Sequence, residues 1–386
     1  MLLIRLAVRN AFRHRLRSVL TILGVAVAIL AFGVLRTVVD AWYSGVEASA
    51  ADRLVTRNAI SLTFSLPLAY REKIRAVPGV TEVSQGNWFG GIYVDEKNFF
   101  ANFAYDIPSL LAIYPELAVA DKDQLSALLR DRKGALVGEK LAKRFGWKVG
   151  DQVTLRGTIF IGDWDFTIRA IYKATRAGVD ESQFFFHWAY LDETLRATMP
   201  TRAGYVGFYL VGIDDPSRSA DISRAVDVQF ANSLAETLTE TEKAFQMGFV
   251  SMSSAIILAI KLVSFVVVLI ILAVSANTMA MSARERSGEY AVLKTLGFGS
   301  STLALLIAGE ALALSVTGAC LGLALVLPCA KAVGSFMIDF FPVFLVSDQT
   351  IALSLAAGVA VGLLSAAYPA LYAARVGIAQ ALRKVG

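Results

Sequence analysis

The sequence predicts an α-helical membrane protein with four transmembrane helices plus an α+β extracytoplasmic domain, and three observations lead there. Of 386 residues, 56% are hydrophobic and they are bunched; the apolar runs near 18–39, 262–280, 303–331 and 350–372 can each cross a ~30 Å hydrocarbon core. Between the first two runs, residues 53–245 hold most of the charge and most of the prolines, and break into short alternating segments. The third observation is charge asymmetry: Lys and Arg crowd the N-terminus, the connection between the second and third runs, and the tail, which marks one side as cytoplasmic.

Taken in order, residues 1–17 read as a helix lying in the cytoplasmic interface, with Leu2, Leu3, Leu6, Phe12 and Leu16 set against Arg5, Arg9 and Arg13. Arginines here account for much of the +5 net charge. Beside a span they orient the chain and can touch anionic membrane lipid, so the basic balance is no sign of nucleic acid. Residues 18–52 give the first span, uncleaved, and a stalk beyond it. Gly24, Ala26 and Ala28 provide a strip for close helix contact.

Residues 53–245 are predicted to fold on their own core. Val153 and Leu155, then Trp164, Phe166 and Ile168, alternate with polar partners around Gly157 and Gly162, as in a hairpin with one buried face. Residues 65–83 read as a short helix, a Pro-Gly turn and a strand; 136–146 and 217–232 read as helices. Phe184 to Trp188 reads as a strand with one face in the core, against the alternative of a ligand or partner surface. The domain contains no cysteine, so disulfides do not staple it.

Residues 246–280 form the second stalk and span, with helical pattern from Glu240; Lys261 interrupts the apolar run and can snorkel to the interface. The remainder divides into a cytoplasmic helix at 281–299, a third span at 300–331, an outer loop at 332–349 lacking Lys and Arg, and a fourth span with its tail at 350–386. Both termini are expected inside. Cys320 and Cys329 share one apolar run but, nine residues apart, face opposite sides, which excludes an intramolecular disulfide or a metal pair.

The most informative stretch is Asn277 to Gly299. Tyr290, Leu293, Leu296 and Gly297 recur at helical spacing, Glu285 and Glu289 lie one turn apart, and Gly297 reads as a stop. Here a short amphipathic helix would sit at the cytoplasmic surface between two spans, where a push would reach both.

The run Arg284-Glu-Arg-x-x-Glu-x-Ala-Val-Leu-Lys-x-Leu-Gly297 resembles the signature of the MacB/FtsX-like (type VII, mechanotransmission) ABC transporter permeases. The likeness extends to Gly134 through Leu155, the Val-Pro-Gly-Val turn at 77–80, and Ile222 to Glu242. It implies a porter part at about 55–110 and 203–245, a mostly β sabre part between, and location in the cell inner membrane. It further implies a dimer, a homodimer in the simplest case, and a cytoplasmic ABC ATPase that binds ATP and magnesium. Arg284, Glu285, Arg286, Glu289, Tyr290, Leu293, Lys294 and Gly297 would form the coupling element. Tyr290 departs from the usual Ile, and the tail after Tyr368 has fewer basic residues than the family pattern.

No phosphate-binding Gly-x-x-x-x-Gly-Lys-Ser/Thr loop occurs, so energy would come from a partner and this chain carries no cofactor. His14 and His187 have no nucleophile or second ligand at useful spacing, and a hard-cation site at Asp163, Asp165, Asp180 and Glu181 is outweighed by simple loop solvation. Glu310, about two turns inside the third span, is either a functional acid or hydrated near the interface. Gly318 and Gly322, with Gly358 and Gly362, form two Gly-x-x-x-Gly pairs suited to tight helix packing. Three functions share this chassis: export of a small hydrophobic compound or peptide with a periplasmic adaptor, lipoprotein extraction from the inner membrane, and FtsX-like regulation of a cell-wall hydrolase. A sensor or membrane-bound enzyme would need a signalling domain or catalytic cluster, and the sequence has neither.

Overall fold

The structure, a computed structural model, describes residues 6, 9–176, 178–337, 341 and 343–375, with Ala374 by its backbone only. Most of the N-terminal interfacial helix up to Val8, Asp339 of the outer loop, and Arg383-Lys384 of the tail lie outside the described residues.

Along the chain, α1 is Arg15–Ala48. After it come β1 Arg53–Asn58, β2 Leu66–Pro67, α2 Tyr70–Arg75, β3 Val80–Trp88, β4 Gly91–Ile92, β5 Asn102–Tyr105, α3 Ile107–Ile113, β6 Leu117–Ala118 and α4 Lys122–Arg130. Next are β7 Gly134–Gly138, α5 Glu139–Phe145, β8 Gln152–Gly157, β9 Gly162–Ala174, β10 Phe184–His187, α6 Trp188–Thr198, β11 Tyr205–Val206, β12 Phe208–Ile213, α7 Ser219–Phe230 and β13 Thr237–Thr241. The chain then runs through α8 Glu242–Met252, α9 Ser254–Glu285, α10 Ser287–Thr295, α11 Ser300–Phe336 and α12 Asp348–Arg375. Two compact units result: Tyr43–Met252 with Met337–Val343, and the remaining residues.

In the first of these units, eleven strands form one sheet in the order β13-β1-β12-β3-β5-β10-β7-β9-β8-β4, with β6 on β9. The β10–β5 and β7–β9 pairings are parallel and the others antiparallel. Neighbouring residues feed two cores, as the period of two requires. Leu54, Val137, Phe184 and Phe186 join one core, lined by α2, α5, α6 and α7; Val55, Leu136 and Phe185 join the other, lined by α3 and α4. Strand β9 sends Phe166 and Ile168 to the first core but Ala170 and Tyr172 to the second. The pairing register with β7 slips there, between Ala135 and Leu136, and the extra residue, Arg169, turns the strand over.

Several expectations are corrected. Phe184, Phe185 and Phe186 are all buried, so this strand has no solvent face: it lies mid-sheet with helices on both sides. Leu136 to Gly138 are strand rather than helix, because all five residues of β7 are buried between β10 and β9; the helix begins at Glu139 and ends on Gly146, whose φ of 70° favours glycine. Glu240 opens no helix. The alternating threonines of β13 pair with β1 instead, and the helix that follows is interrupted at Ser253. Leu54 and Phe230 share one cluster with Val137, so the segments at about 55–110 and 203–245 and the part between them are packed on a common core.

In the other unit α1, α9, α11 and α12 are long and apolar enough to cross a membrane. At 34 residues α1 is about 50 Å long, more than a hydrocarbon core needs. Two apolar clusters hold the bundle. One centres on Val25, Ile29, Ile271, Ala319 and Val361; the other on Ile22, Met279, Tyr290, Ile307 and Leu314.

Candidate functional site

The coupling stretch is not one helix. Helix α9 carries Arg284 and Glu285 in its last turn, Arg286 leaves helical geometry (φ −98°, ψ 15°), and α10 begins at Ser287. Burial of Arg286 explains the break. Its guanidinium turns inward, Nη1 donating to Glu310 Oε2 of α11 at 2.7 Å and Nε to Glu289 Oε2 at 2.9 Å. Glu289 Oε1 accepts from Arg13 Nη1 at 2.6 Å, and Glu285 accepts from Arg17 Nη2 at 2.7 and 2.9 Å. Four charges therefore run in series, Arg13, Glu289, Arg286 and Glu310, from the turn before α1 to the interior of α11.

Tyr290 is 2% exposed and packs with Ala283, Leu303 and Ile307, while the Arg286 guanidinium carbon lies 5.5 Å from its ring centre. Burial, then the Glu310 and Glu289 charges, outweigh Arg286 and push the Tyr290 hydroxyl up to about 12. For Glu289, burial opposes ionisation, but bonding and charge from Arg286 and then Arg13 prevail and hold its carboxyl below the usual range. For Arg286, burial is likewise outweighed, by Tyr290, Glu310 and Glu289, and its pKa rises.

Helix α10 closes in a Schellman turn. Gly297 (φ 91°) donates to Lys294 O and Phe298 N to Leu293 O, which gives the Gly297 stop its physical form. Arg284, Glu285 and Glu289 are exposed, and Leu293 and Lys294 are half-buried. Arg286 and Tyr290 face α11, which leaves the exposed surface of the stretch to their neighbours; Arg286 turns inward to pair with Glu310 and Tyr290 to pack on Leu303 and Ile307, partners invisible in the local sequence. Sequence reasoning also missed Val292, Leu296 and Phe298 as an exposed apolar strip (48%, 71% and 40%). The signal was Val292, two positions from Tyr290 and so on the opposite side of the helix, with Leu296 and Phe298 at and beyond its C-terminal end.

Glu310 is 7% exposed and beside a space of about 20 Å³ lined by Ser18, Thr21, Thr278 and Ser282, enough for a water molecule. Gly318 and Gly322 lie on the α1 face of α11: a Cβ on Gly318 would sit 2.8 Å from Ile22 O, and one on Gly322 2.5 Å from Ala26 O. Gly358 and Gly362 press on the other side of α11, against Ala319 and Ser315. At the far end of the unit, Asp40 accepts from Ser347 Oγ (2.6 Å) and Thr350 Oγ1 (2.7 Å), tying α1 to the start of α12.

The sheet unit has an ionic cluster of its own. Arg53 is 3% exposed and meets Glu116 Oε1 at 2.7 Å and Glu242 Oε2 at 2.8 Å over the Tyr114 ring. Tyr114 OH and Ala50 N also donate to Glu242. The cluster joins the segment leaving α1, the first strand and the first residue of α8. His187 Nε2 lies 2.7 Å from Leu128 O, and burial lowers its pKa. Among the described residues no group of three His, Cys, Asp or Glu could hold a metal ion.

Two family models match. The MacB-like periplasmic core domain covers residues 18–228, and the FtsX-like permease C-terminal covers 261–378. No curated protein is similar enough to count as a relative. Solved structures that resemble the chain include the extracellular domain of the ABC-type transporter YknZ from Gram-positive bacteria. Identity there is 12%, with 49% of this chain and 100% of that one covered and a TM-score of 0.34. A second is the periplasmic region of MacB from Actinobacillus actinomycetemcomitans (8% identity, 53% and 95% covered, TM-score 0.37). A third is a domain of a permease protein from Porphyromonas gingivalis (16%, 50% and 90%, 0.32).

Proposed function

Since the chain belongs to the MacB/FtsX-like ABC transporter permeases, with the periplasmic core model alone spanning more than half of it, we propose that it relays the work of a separate cytoplasmic ATPase to its extracytoplasmic domain. The observation that carries this reading is the charge series Arg13–Glu289–Arg286–Glu310. A rigid turn paired to α11 on one side and to the start of α1 on the other cannot be displaced alone: a push on it is a push on two spans.

In this reading the ATPase seats on Arg284, Glu285, Glu289 and the Val292–Leu296–Phe298 strip. The permease works as a dimer in the inner membrane with both termini cytoplasmic, and its output is export of a small hydrophobic compound or peptide handed to a periplasmic adaptor. ATP and magnesium act in the partner. The test is Glu289→Lys in the complex co-purified with its ATPase. The variant should insert and fold, yet ATP hydrolysis should no longer respond to substrate or adaptor; an unchanged response overturns the reading.

A further inference from the structure

Between the start of α1 and the last turns of α9 lies a groove of about 710 Å³ whose chemistry changes along its length. At the mouth stand His14, Arg15 and Arg17, on a helix end with no acidic residue in its first turn. Deeper, the walls are Leu20, Ile271 and Val274, and the floor is Gly24, where an added Cβ would come 3.2 Å from Ile271 Cδ1. Nine residues separate Arg15 from Gly24, roughly 13 Å of helix. Basic end, apolar shaft: the profile is amphipathic.

Two buried polar atoms along it lack partners among the described residues. Ser275 is 4% exposed and lines the groove, yet its Oγ makes no hydrogen bond. Arg17 spends Nη2 on Glu285 and leaves Nη1 buried and unpaired. Arg15 has no carboxylate partner among the described residues, whereas Arg13 is already engaged with Glu289. The other hydroxyls along the trough, Thr21 and Thr278, donate to carbonyls of their own helices, whereas unmet donors are costly unless something polar reaches them.

We propose that this groove binds one anionic phospholipid. Its phosphate is held by Arg15, by the free edge of Arg17 and by the positive end of α1; an acyl chain lies along Leu20, Ile271 and Val274, and the glycerol-ester oxygens accept from Ser275. The site needs only the four-span bundle; it rests on the proposed orientation solely for the lipid's being in the cytoplasmic leaflet. Because Arg17 also holds Glu285, the headgroup would bear on the turn that α10 follows.

The test uses the full chain in mild detergent with equimolar phosphatidylglycerol and phosphatidylcholine, and counts retained lipid by native mass spectrometry. One phosphatidylglycerol per chain should be retained preferentially. Arg15→Gln, an exposed change that spares the fold, should weaken that preference about fivefold. Ser275→Phe, which fills the trough, should abolish retention. Equal retention of both lipids, or full preference in Arg15→Gln, overturns the proposal. So does Thr278→Cys, in a Cys320→Ser/Cys329→Ser background, cross-linking efficiently to a second copy in native membranes, since another chain would then occupy the groove. None of these readouts involves an ATPase, so failure here leaves the coupling reading standing.

Discussion

Arg286 Nη1 and Glu310 Oε2 meet at 2.7 Å with both side chains less than a tenth exposed. Removing one charge from a buried pair strands the other, which typically destabilises by about 3–5 kcal/mol, whereas replacing both with apolar groups is often near neutral. Arg286→Met should therefore lower the thermal midpoint of the purified chain sharply, and Arg286→Met/Glu310→Leu should recover most of the loss. Additive single and double effects would mean that the two charges do not depend on each other.

Much of this arrangement was legible in the sequence, and the parts that were not share a cause. Four apolar runs, the hairpin about Gly157 and the stop at Gly297 are local patterns, and local patterns survive in any fold that keeps the residues adjacent. Arg286 and Tyr290 read as surface residues because their burial depends on α11: Arg286 pairs with Glu310, 24 positions away, and Tyr290 packs on Leu303 and Ile307. Phe185 read as half of an alternating strand because nothing nearby announces α3 and α4 on its outer side. The Arg53 cluster escaped notice altogether: Glu116 and Glu242 lie in separate segments, and a lone Arg at a strand start looks solvated. The common thread in each case is pairing across distance, which composition and period do not encode.

The α1–α11 contact depends on absent side chains. At Gly322 a Cβ would lie 2.5 Å from the Ala26 carbonyl oxygen and 3.0 Å from Ile29 Cβ, positions fixed to a helix backbone that cannot turn away. Overpacking of this kind usually destabilises by about 1–3 kcal/mol. Gly322→Val should lower the thermal midpoint, while Gly362→Ala, whose nearest obstacle is the rotatable Ser315 hydroxyl, should do less harm. A larger loss at Gly362 would show that α12, rather than α1, sets the tolerance of α11.

Acid should loosen the sheet unit through His187. Burial lowers its pKa from the ordinary 6.5, so the folded protein favours the neutral ring. The sign follows: stability is present above the unfolded value and is lost as pH falls through the folded one, because the unfolded chain takes up the proton first. His187→Gln keeps an N–H for Leu128 O but has nothing to titrate. Trp88, Trp147, Trp164 and Trp188 all lie in this unit, so tryptophan fluorescence follows its unfolding. Between about pH 7.5 and about pH 5, above the range of ordinary carboxylates, the wild-type midpoint should fall further than that of His187→Gln. Equal falls would place the acid sensitivity elsewhere, in groups that titrate with the same sign but do not touch Leu128.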